Sequence, residues 1–156
     1  MSNFTESLPN GFFGIGIDNS KKIENIGTLW RSAYILGASF IFVIGHRYKK
    51  QGADTIKTWS KIPLYQYDRF ADFKKSIPYA CKVIGVEIDE KSQAIQDFTH
   101  PDSCIYLLGS EDHGLSNEAY AVCHELVQLP GDICLNVAVS GSIVMYDRIQ
   151  KNPNKD

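Results

Sequence analysis

Short, uninterrupted apolar runs are the feature of this sequence that most limits its fold. The segments FFGIGI (12–17), FIFVI (40–44) and CIYLL (104–108) hold five or six residues each and no charged residue. A strand with one face in water alternates apolar and polar residues, so these runs predict strands buried on both faces. Segments with helical spacing lie between them, and this alternation predicts an α/β fold, a parallel sheet covered by helices on both faces.

The remaining predicted elements extend the same alternation. Apolar residues recur at helical spacing over 26–33, with Asn25 as the expected N-cap of this first helix and Gly37 as its stop. No linker or internal repeat interrupts the chain, so we expect a single domain over 1–156 with an ordered core at about 12–150. Further strands are predicted at 61–67, 81–88 and 125–129, and further helices at 68–76, 115–123 and 135–151.

Composition excludes several classes of protein. The 156 residues are 44% hydrophobic and 22% charged, which is ordinary globular usage and argues against a disordered chain or a coiled coil. The net charge of −2 does not indicate a nucleic-acid coat, although a local basic patch stays possible. The four cysteines form no C-x-x-C pair, so we expect reduced thiols and no metal site. With no membrane-spanning run or secretory signal, the expected location is cytoplasmic, away from membranes.

Polar residues follow the first predicted strand. Asn25, Thr28 and Arg31 recur at a spacing of three, which brings an amide, a hydroxyl and a guanidinium to one helix face. Such a face could contact a phosphate or a ribose. A capped helix with one solvated arginine is the alternative that this segment alone leaves open.

Two more polar segments follow later strands. In the first, Gly109 and Gly114 flank Ser-Glu-Asp-His, which suits close backbone approach to a ligand or a plain loop in which Asp112 or Ser116 caps a helix. In the second, the small residues at 138–142 indicate tight helix packing or a site. The chain has no G-x-S-x-G elbow, complete dinucleotide fingerprint or Walker loop, which disfavours a hydrolase or a nucleotide-binding protein of those types.

Three of these segments together resemble a known family. NIGTLWRSA (25–33), LLGSEDHGL (107–115) and VQLP with CLNVAVSG (127–141) are similar, in this order, to the three motifs of the SpoU RNA 2′-O-ribose methyltransferases of the SPOUT, or α/β-knot, class. The similarity runs from about Gly14 to Arg148 and is to the short, single-domain members. It implies a deep C-terminal trefoil knot, S-adenosylmethionine as cofactor, and a homodimer with active sites at the subunit interface.

The resemblance also implies site residues. Cys134 stands where the family usually has serine, and the loop before it is shorter than usual, which puts the strength of cofactor binding in doubt because a thiol is a weak hydrogen-bonding group. The residues that match catalytic positions are Arg31, Asn25, Glu111 and Asn136. Those that match cofactor-binding positions are Leu108, Gly109, Glu111, Leu129, Cys134, Leu135 and Asn136.

The chemistry and the substrate follow less directly. A guanidinium with a pKa above about 12 is a poor base, so we interpret Arg31 as fixing a phosphate and stabilising the developing alkoxide. The basic segment with Arg47, Lys49 and Lys50 is a candidate RNA contact together with Arg31, or else a solvated loop. Several short members methylate the wobble nucleotide of tRNA, so tRNA is the favoured substrate; rRNA and a non-catalytic RNA-binding dimer are the alternatives. His100 and His124 are expected at the surface.

Overall fold

The computed structural model describes residues 11–45 and 61–152, which form a seven-stranded sheet with helices. Every strand pairing in these ranges is parallel, and the strand order is β3-β2-β1-β6-β4-β7-β5. The strands are β1 (Phe13–Asp18), β2 (Phe40–Ile44), β3 (Leu64–Tyr67), β4 (Lys82–Val86), β5 (Gln93–Ala94), β6 (Cys104–Leu108) and β7 (Glu125–Gln128). The helices are α1 (Ile23–Ile35), α2 (Phe70–Ser76), α3 (Asn117–Val122) and α4 (Val137–Lys151), with a 3₁₀ turn at Ile95–Asp97.

The central strands are buried on both faces, as their sequences predict. Every residue of β1, β2 and β6 is buried. Successive side chains of β2 join opposite layers: Ile41 and Val43 belong to the cluster that contains α1 and α4, whereas Phe40 and Phe42 pack with α2 and α3. The predicted parallel sheet with helices on both faces is therefore confirmed.

The small residues of α4 serve tight packing. A Cβ atom on Gly141 would lie 2.6 Å from Leu29 Cδ1 of α1 and 3.0 Å from Leu108 Cδ1 of the sheet. Only a residue without a side chain permits this approach. Of the two interpretations of the small residues at 138–142, tight helix packing is therefore the one that applies to Gly141. This packing places the N-terminus of α4 beside the carboxyl ends of β1 and β6.

Two helix starts differ from the sequence prediction. Helix α1 begins at Ile23 with Lys22 in the N-cap position, so Asn25 is wrong as the cap and lies in the first turn. Helix α4 begins at Val137, and Asn136 is its N-cap: Asn136 Oδ1 accepts hydrogen bonds from the N–H groups of Ala138 and Val139 at 2.9 and 3.2 Å. Sequence spacing identified both helices. It did not show that the Asn136 side chain caps its helix, whereas the Asn25 side chain contacts residues distant in sequence.

The sequence analysis also missed two short elements and misplaced one histidine. The sequence did not predict β5 and the 3₁₀ turn, because two or three residues carry no recognisable periodicity. His100 is not a surface residue: it is 5% exposed and bonded to Tyr106 and Asp147, six and 47 positions away in the sequence. His124 is exposed, as expected.

Two further expectations concern the knot and membrane-spanning helices. The C-terminal knot implied by the resemblance stays a prediction. Among the described helices, none combines the length and the apolar character that a membrane span needs.

Candidate active site

A cavity of about 630 Å³ opens where the loops leave the carboxyl ends of β4, β6 and β7. This edge is where ligands bind in open parallel sheets, and the volume lies in the usual range for small-molecule sites. The wall of the cavity includes all seven residues that match cofactor-binding positions: Leu108, Gly109, Glu111, Leu129, Cys134, Leu135 and Asn136. Their joint placement is a finding of the structure, and their role in cofactor binding stays a prediction.

The glycine-flanked loop after β6 folds back on itself at the cavity. Ser110 and Gly114 exchange two backbone hydrogen bonds of 3.1 and 3.0 Å, and Gly114 has a φ of 67°. A Cβ atom on Gly109 would lie 2.3 Å from the Gly114 carbonyl carbon. The two glycines therefore permit a close approach between two parts of one loop, which turns its backbone along the cavity wall. Ser116 caps the helix that follows, its Oγ accepting from the Ala119 N–H at 3.1 Å.

Three of the four candidate catalytic residues meet in one hydrogen-bonded network. Asn25 Nδ2 donates to Glu111 Oε1 at 2.6 Å, and Asn136 Nδ2 donates to Asn25 Oδ1 at 3.0 Å. Asn25 is buried, and its single amide group joins α1, the loop after β6 and the start of α4. This contact explains why Asn25 does not cap its own helix: both ends of its amide are already engaged.

The network continues at the start of α1. The Lys21 N–H donates to the second Glu111 oxygen, Oε2, at 3.3 Å. Lys21 Nζ lies 2.9 Å from Asp112 Oδ2, and this hydrogen-bonded ammonium holds the pKa of the Asp112 carboxyl below its ordinary value. Both side chains are about half exposed, so the ion pair adds little stability. The Glu111 carboxylate, by contrast, is fixed through both oxygens beside the cavity.

Arg31 lies apart from the other three candidates. It is exposed on α1 and is not among the residues that line the cavity of its own chain. The candidate RNA-contact residues Arg47, Lys49 and Lys50 lie outside the described residues. The structure therefore brings Asn25, Glu111 and Asn136 together and leaves Arg31 exposed on the surface of α1.

Glu87 is among the cavity residues that the sequence analysis missed. Glu87 lies between the loops, where its Oε2 accepts from the Leu115 N–H at 2.9 Å and its Oε1 from the Ile88 N–H at 3.2 Å. Cys134 Sγ donates to Glu87 Oε1 at 3.9 Å. Burial, and then the nearby negative charge of Glu87, raises the pKa of the Cys134 thiol above its ordinary value. The available signal was the position of Glu87 directly after the apolar run of β4.

These features define a class of protein. It has an α/β fold, and at the carboxyl edge of its parallel sheet lie a cavity of small-molecule size and a hydrogen-bonded network of one carboxylate and two amides. The sequence matches the SpoU rRNA Methylase family over residues 13–146. That match spans most of the chain, and the protein belongs to the SpoU methylase family.

Individual relatives agree with this placement. The chain is 25% identical over 142 residues to the 23S rRNA (guanosine-2′-O-)-methyltransferase RlmB of Acinetobacter baylyi, a match that covers 85% of this chain and 57% of that protein. This chain thus spans little more than half the length of that relative.

Solved structures show the same fold. The SpoU methyltransferase AviRb from Streptomyces viridochromogenes, in complex with the cofactor AdoMet, superimposes with a TM-score of 0.83 at 21% identity, covering 98% of this chain and 62% of that one. A structure concerned with the 2-OH methylation of C/U34 on tRNA gives a TM-score of 0.76 at 19% identity, covering 93% of this chain and 99% of that one.

Proposed function

We propose that this protein transfers a methyl group from S-adenosylmethionine to a ribose 2′-hydroxyl of RNA. The observation that carries the proposal is the Asn25–Glu111–Asn136 network, which joins residues of all three family motifs at the edge of the cavity. Its two hydrogen bonds join Asn25 to residues 86 and 111 positions away in the chain. A carboxylate fixed by two donors and an amide fixed by a helix start form a rigid polar surface for a substrate.

The residues of the cavity suit this cofactor. Leu108, Leu129 and Val86 give it apolar walls for a flat base, and the polar side chains of Glu111 and Asn136 also line it. When bound, S-adenosylmethionine supplies a methyl group already activated on a positively charged sulfur. The protein therefore has to align the ribose oxygen with that methyl group and assist loss of the hydroxyl proton.

Arg31 and the network take different parts in this chemistry. The Arg31 guanidinium binds the phosphate next to the target ribose and stabilises the negative charge that develops on the 2′-oxygen. Glu111 and Asn136 orient the ribose. Asn25 holds both of them through one buried amide, so it acts as a positioning residue.

A homodimer accounts for the position of Arg31. Helix α4 exposes Val139, Ile143 and Tyr146 at helical spacing, and Ile35 at the end of the neighbouring α1 is 64% exposed. Because α1 and α4 pack together, we infer that these side chains form one apolar face, as expected of a surface that binds a partner. We infer that a second copy covers this face and that Arg31 of one subunit then works beside the cavity of its partner.

The RNA substrate is proposed to be tRNA. The structure concerned with 2-OH methylation of C/U34 on tRNA matches over nearly the full length of both chains, which supports this choice. Arg47, Lys49 and Lys50 are proposed to contact its phosphates. The similarity to the rRNA enzyme keeps rRNA as the alternative substrate, and a non-catalytic RNA-binding dimer remains the rival from another class.

The test is methyl transfer from labelled S-adenosylmethionine to total RNA from cells that lack the gene, followed by mapping of the labelled nucleotide. Arg31→Ala should leave folding and cofactor binding nearly unchanged and slow transfer about a hundredfold or more. Arg31→Lys should recover little, because a compact ammonium does not replace a planar guanidinium.

Each result separates the candidates. Label in tRNA supports the proposed substrate, and label in rRNA supports the alternative. Cofactor binding without transfer to any RNA favours the non-catalytic dimer. Transfer by Arg31→Ala within about threefold of the parent would remove Arg31 from the site.

A further inference from the structure

Three loops of the cavity meet at the Glu87 carboxylate. The Leu115 N–H, at the end of the loop after β6, donates to Oε2 at 2.9 Å. The Cys134 thiol, in the loop after β7, donates to Oε1 at 3.9 Å, and the Ile88 N–H of Glu87's own loop donates to the same oxygen at 3.2 Å. A Cβ atom on Gly114 would lie 2.2 Å from Oε2, so the loop closes directly against this oxygen.

Glu87, like Glu111, is held among the described residues by uncharged donors, whereas the third cavity carboxylate, Asp112, has a cationic partner. Asp112 is paired with the Lys21 ammonium, and Glu111 is engaged by the Asn25 amide and the Lys21 N–H. The partners recorded for Glu87 within the described ranges are two backbone N–H groups and a thiol, all of them uncharged. These donors orient the carboxylate at the cavity wall and leave its full negative charge.

A charge at this wall acts on any ligand in the cavity. A cavity of about 630 Å³ is roughly 11 Å across, so a ligand centre lies on the order of 5–8 Å from Glu87. At that distance, and with the screening typical of a partly open site, this attraction raises the affinity for a ligand with a unit positive charge by about tenfold. An uncharged ligand of the same shape gains almost none of it.

We propose that Glu87 makes the cavity charge-selective, so that it holds the sulfonium cofactor more tightly than the thioether product. This inference rests on the proposed function. In the transfer the sulfur–methyl bond breaks, its electron pair stays on sulfur, and the carbon bonds to the ribose oxygen, which loses its proton to solvent. The sulfur thereby changes from a cation to a neutral thioether. The attraction to Glu87 disappears in the same step, and product release becomes easier.

The test compares affinities by calorimetry for S-adenosylmethionine, S-adenosylhomocysteine and sinefungin, an analogue with an ammonium-bearing carbon in place of the sulfonium. Glu87→Gln should lower the ratio of S-adenosylmethionine to S-adenosylhomocysteine affinity by about tenfold. Glu87→Gln should weaken the binding of sinefungin about as much as that of S-adenosylmethionine, because both ligands are positively charged at this position. Glu90→Gln is the matched control: it removes the same charge from an exposed residue three positions away that does not line the cavity, and its ratio should stay that of the parent.

A purely structural role gives a different result. If Glu87 only ties the loops together, both ligands lose affinity equally and the ratio stays constant, which overturns the proposal. Glu87→Thr guards against a local clash, because it is neutral and smaller and so cannot press an amide against the Ile88 N–H; it should lower the ratio in the same way. Failure of the parent protein to bind either ligand would instead overturn the proposed function.

Discussion

At the residue scale, the site depends on how a few polar groups divide their hydrogen bonds. Asn136 uses its oxygen for the first N–H groups of α4 and its Nδ2 for Asn25, so one side chain both caps a helix and orients a network. Asn25 uses its oxygen for Asn136 and its Nδ2 for Glu111. Both amide groups therefore have partners, and this matters most for Asn25, which is buried, where an unpaired amide would be costly.

Cys134 raises a residue-scale prediction. Its thiol already points at Glu87 Oε1, with a long sulfur–oxygen distance of 3.9 Å. In Cys134→Ser, a hydroxyl would donate a stronger hydrogen bond to the same oxygen. We expect cofactor affinity to be preserved or increased by up to about fivefold, measured by calorimetry, because one hydrogen bond contributes about 1 kcal/mol.

The control for that change is Cys134→Ala, which removes the donor at similar volume and should not increase affinity. Loss of binding in Cys134→Ser would contradict the prediction. It would show that the pocket around this residue departs from the family pattern and that the third motif is wrongly aligned there.

At the element scale, the C-terminal half of α4 is held to the sheet by a buried polar cluster. Arg148, 5% exposed, donates to the carbonyl oxygens of Pro101 and Asp102 at 2.7 and 2.8 Å and to Tyr106 Oη at 3.2 Å. Lys151 Nζ lies 2.9 Å from Asp147 Oδ2. Because these contacts engage both cations, the cluster fixes the end of α4 at the edge of the sheet opposite the cavity.

His100 is the titratable centre of this cluster. The contacts are satisfied if Tyr106 Oη donates to His100 Nδ1 at 2.6 Å and His100 Nε2 donates to Asp147 Oδ2 at 2.7 Å, which assigns the neutral tautomer protonated on Nε2. Burial lowers the pKa of His100, and the nearby Arg148 and Lys151 act in the same direction. The Asp147 carboxylate raises it, but the desolvation of an imidazolium outweighs that attraction.

This lowered pKa predicts a dependence of stability on pH. The unfolded chain takes up a proton on His100 below its ordinary pKa of about 6.5, whereas the folded protein resists it, so stability falls with pH from about 6.5 downward. Between about pH 7.5 and 5.5 the free energy of unfolding should decrease by up to about 1 kcal/mol from this residue, as measured by urea denaturation.

The variants for this prediction are matched. His100→Gln should be less stable at neutral pH, because the cluster is disrupted, but its stability should depend less on pH. His113→Gln, at an exposed position, should keep the pH dependence of the parent. An equal slope in the parent and His100→Gln would show that other groups titrate on unfolding.

At the scale of the whole molecule, the proposed dimer explains how Arg31 could act in catalysis although it does not line the cavity of its own chain. The proposed apolar face includes Ile35 at the end of α1, the helix that also carries Arg31. A two-fold interface buries the same face on both subunits and would create two equivalent composite sites. We expect a dimer in solution with about 1,600 Å² or more buried in total.

Mixing two inactive variants tests the composite site. Arg31→Ala lacks the guanidinium, and Gly109→Ala places a Cβ atom 2.3 Å from the Gly114 carbonyl carbon, which has to displace the cavity loop. In a mixed dimer, one site pairs an intact cavity with an intact Arg31. Random exchange at equal amounts should restore about a quarter of the parental activity. Each variant exchanged with itself is the control, and mixed dimers without activity would show that each chain carries a complete site of its own.

The sequence by itself determined the architecture and the family of this protein. The runs at 40–44 and 104–108 became β2 and β6 with the predicted bounds, because a strand buried on both faces has to be apolar throughout. The three motifs placed the cofactor candidates, and all seven line one cavity. Both results depend on local patterns that can be read within a few residues.

Tertiary structure decided the partners of the polar residues. Asn25 had a valid local role as a helix cap and lost it to Glu111 and Asn136, which are distant in sequence. His100 had no local signal for burial and is enclosed by Tyr106 and Asp147. Glu87 followed an ordinary strand and became the point where three loops meet. A hydrogen bond depends on which atoms the fold brings within about 3 Å, and no periodicity of the chain carries that information.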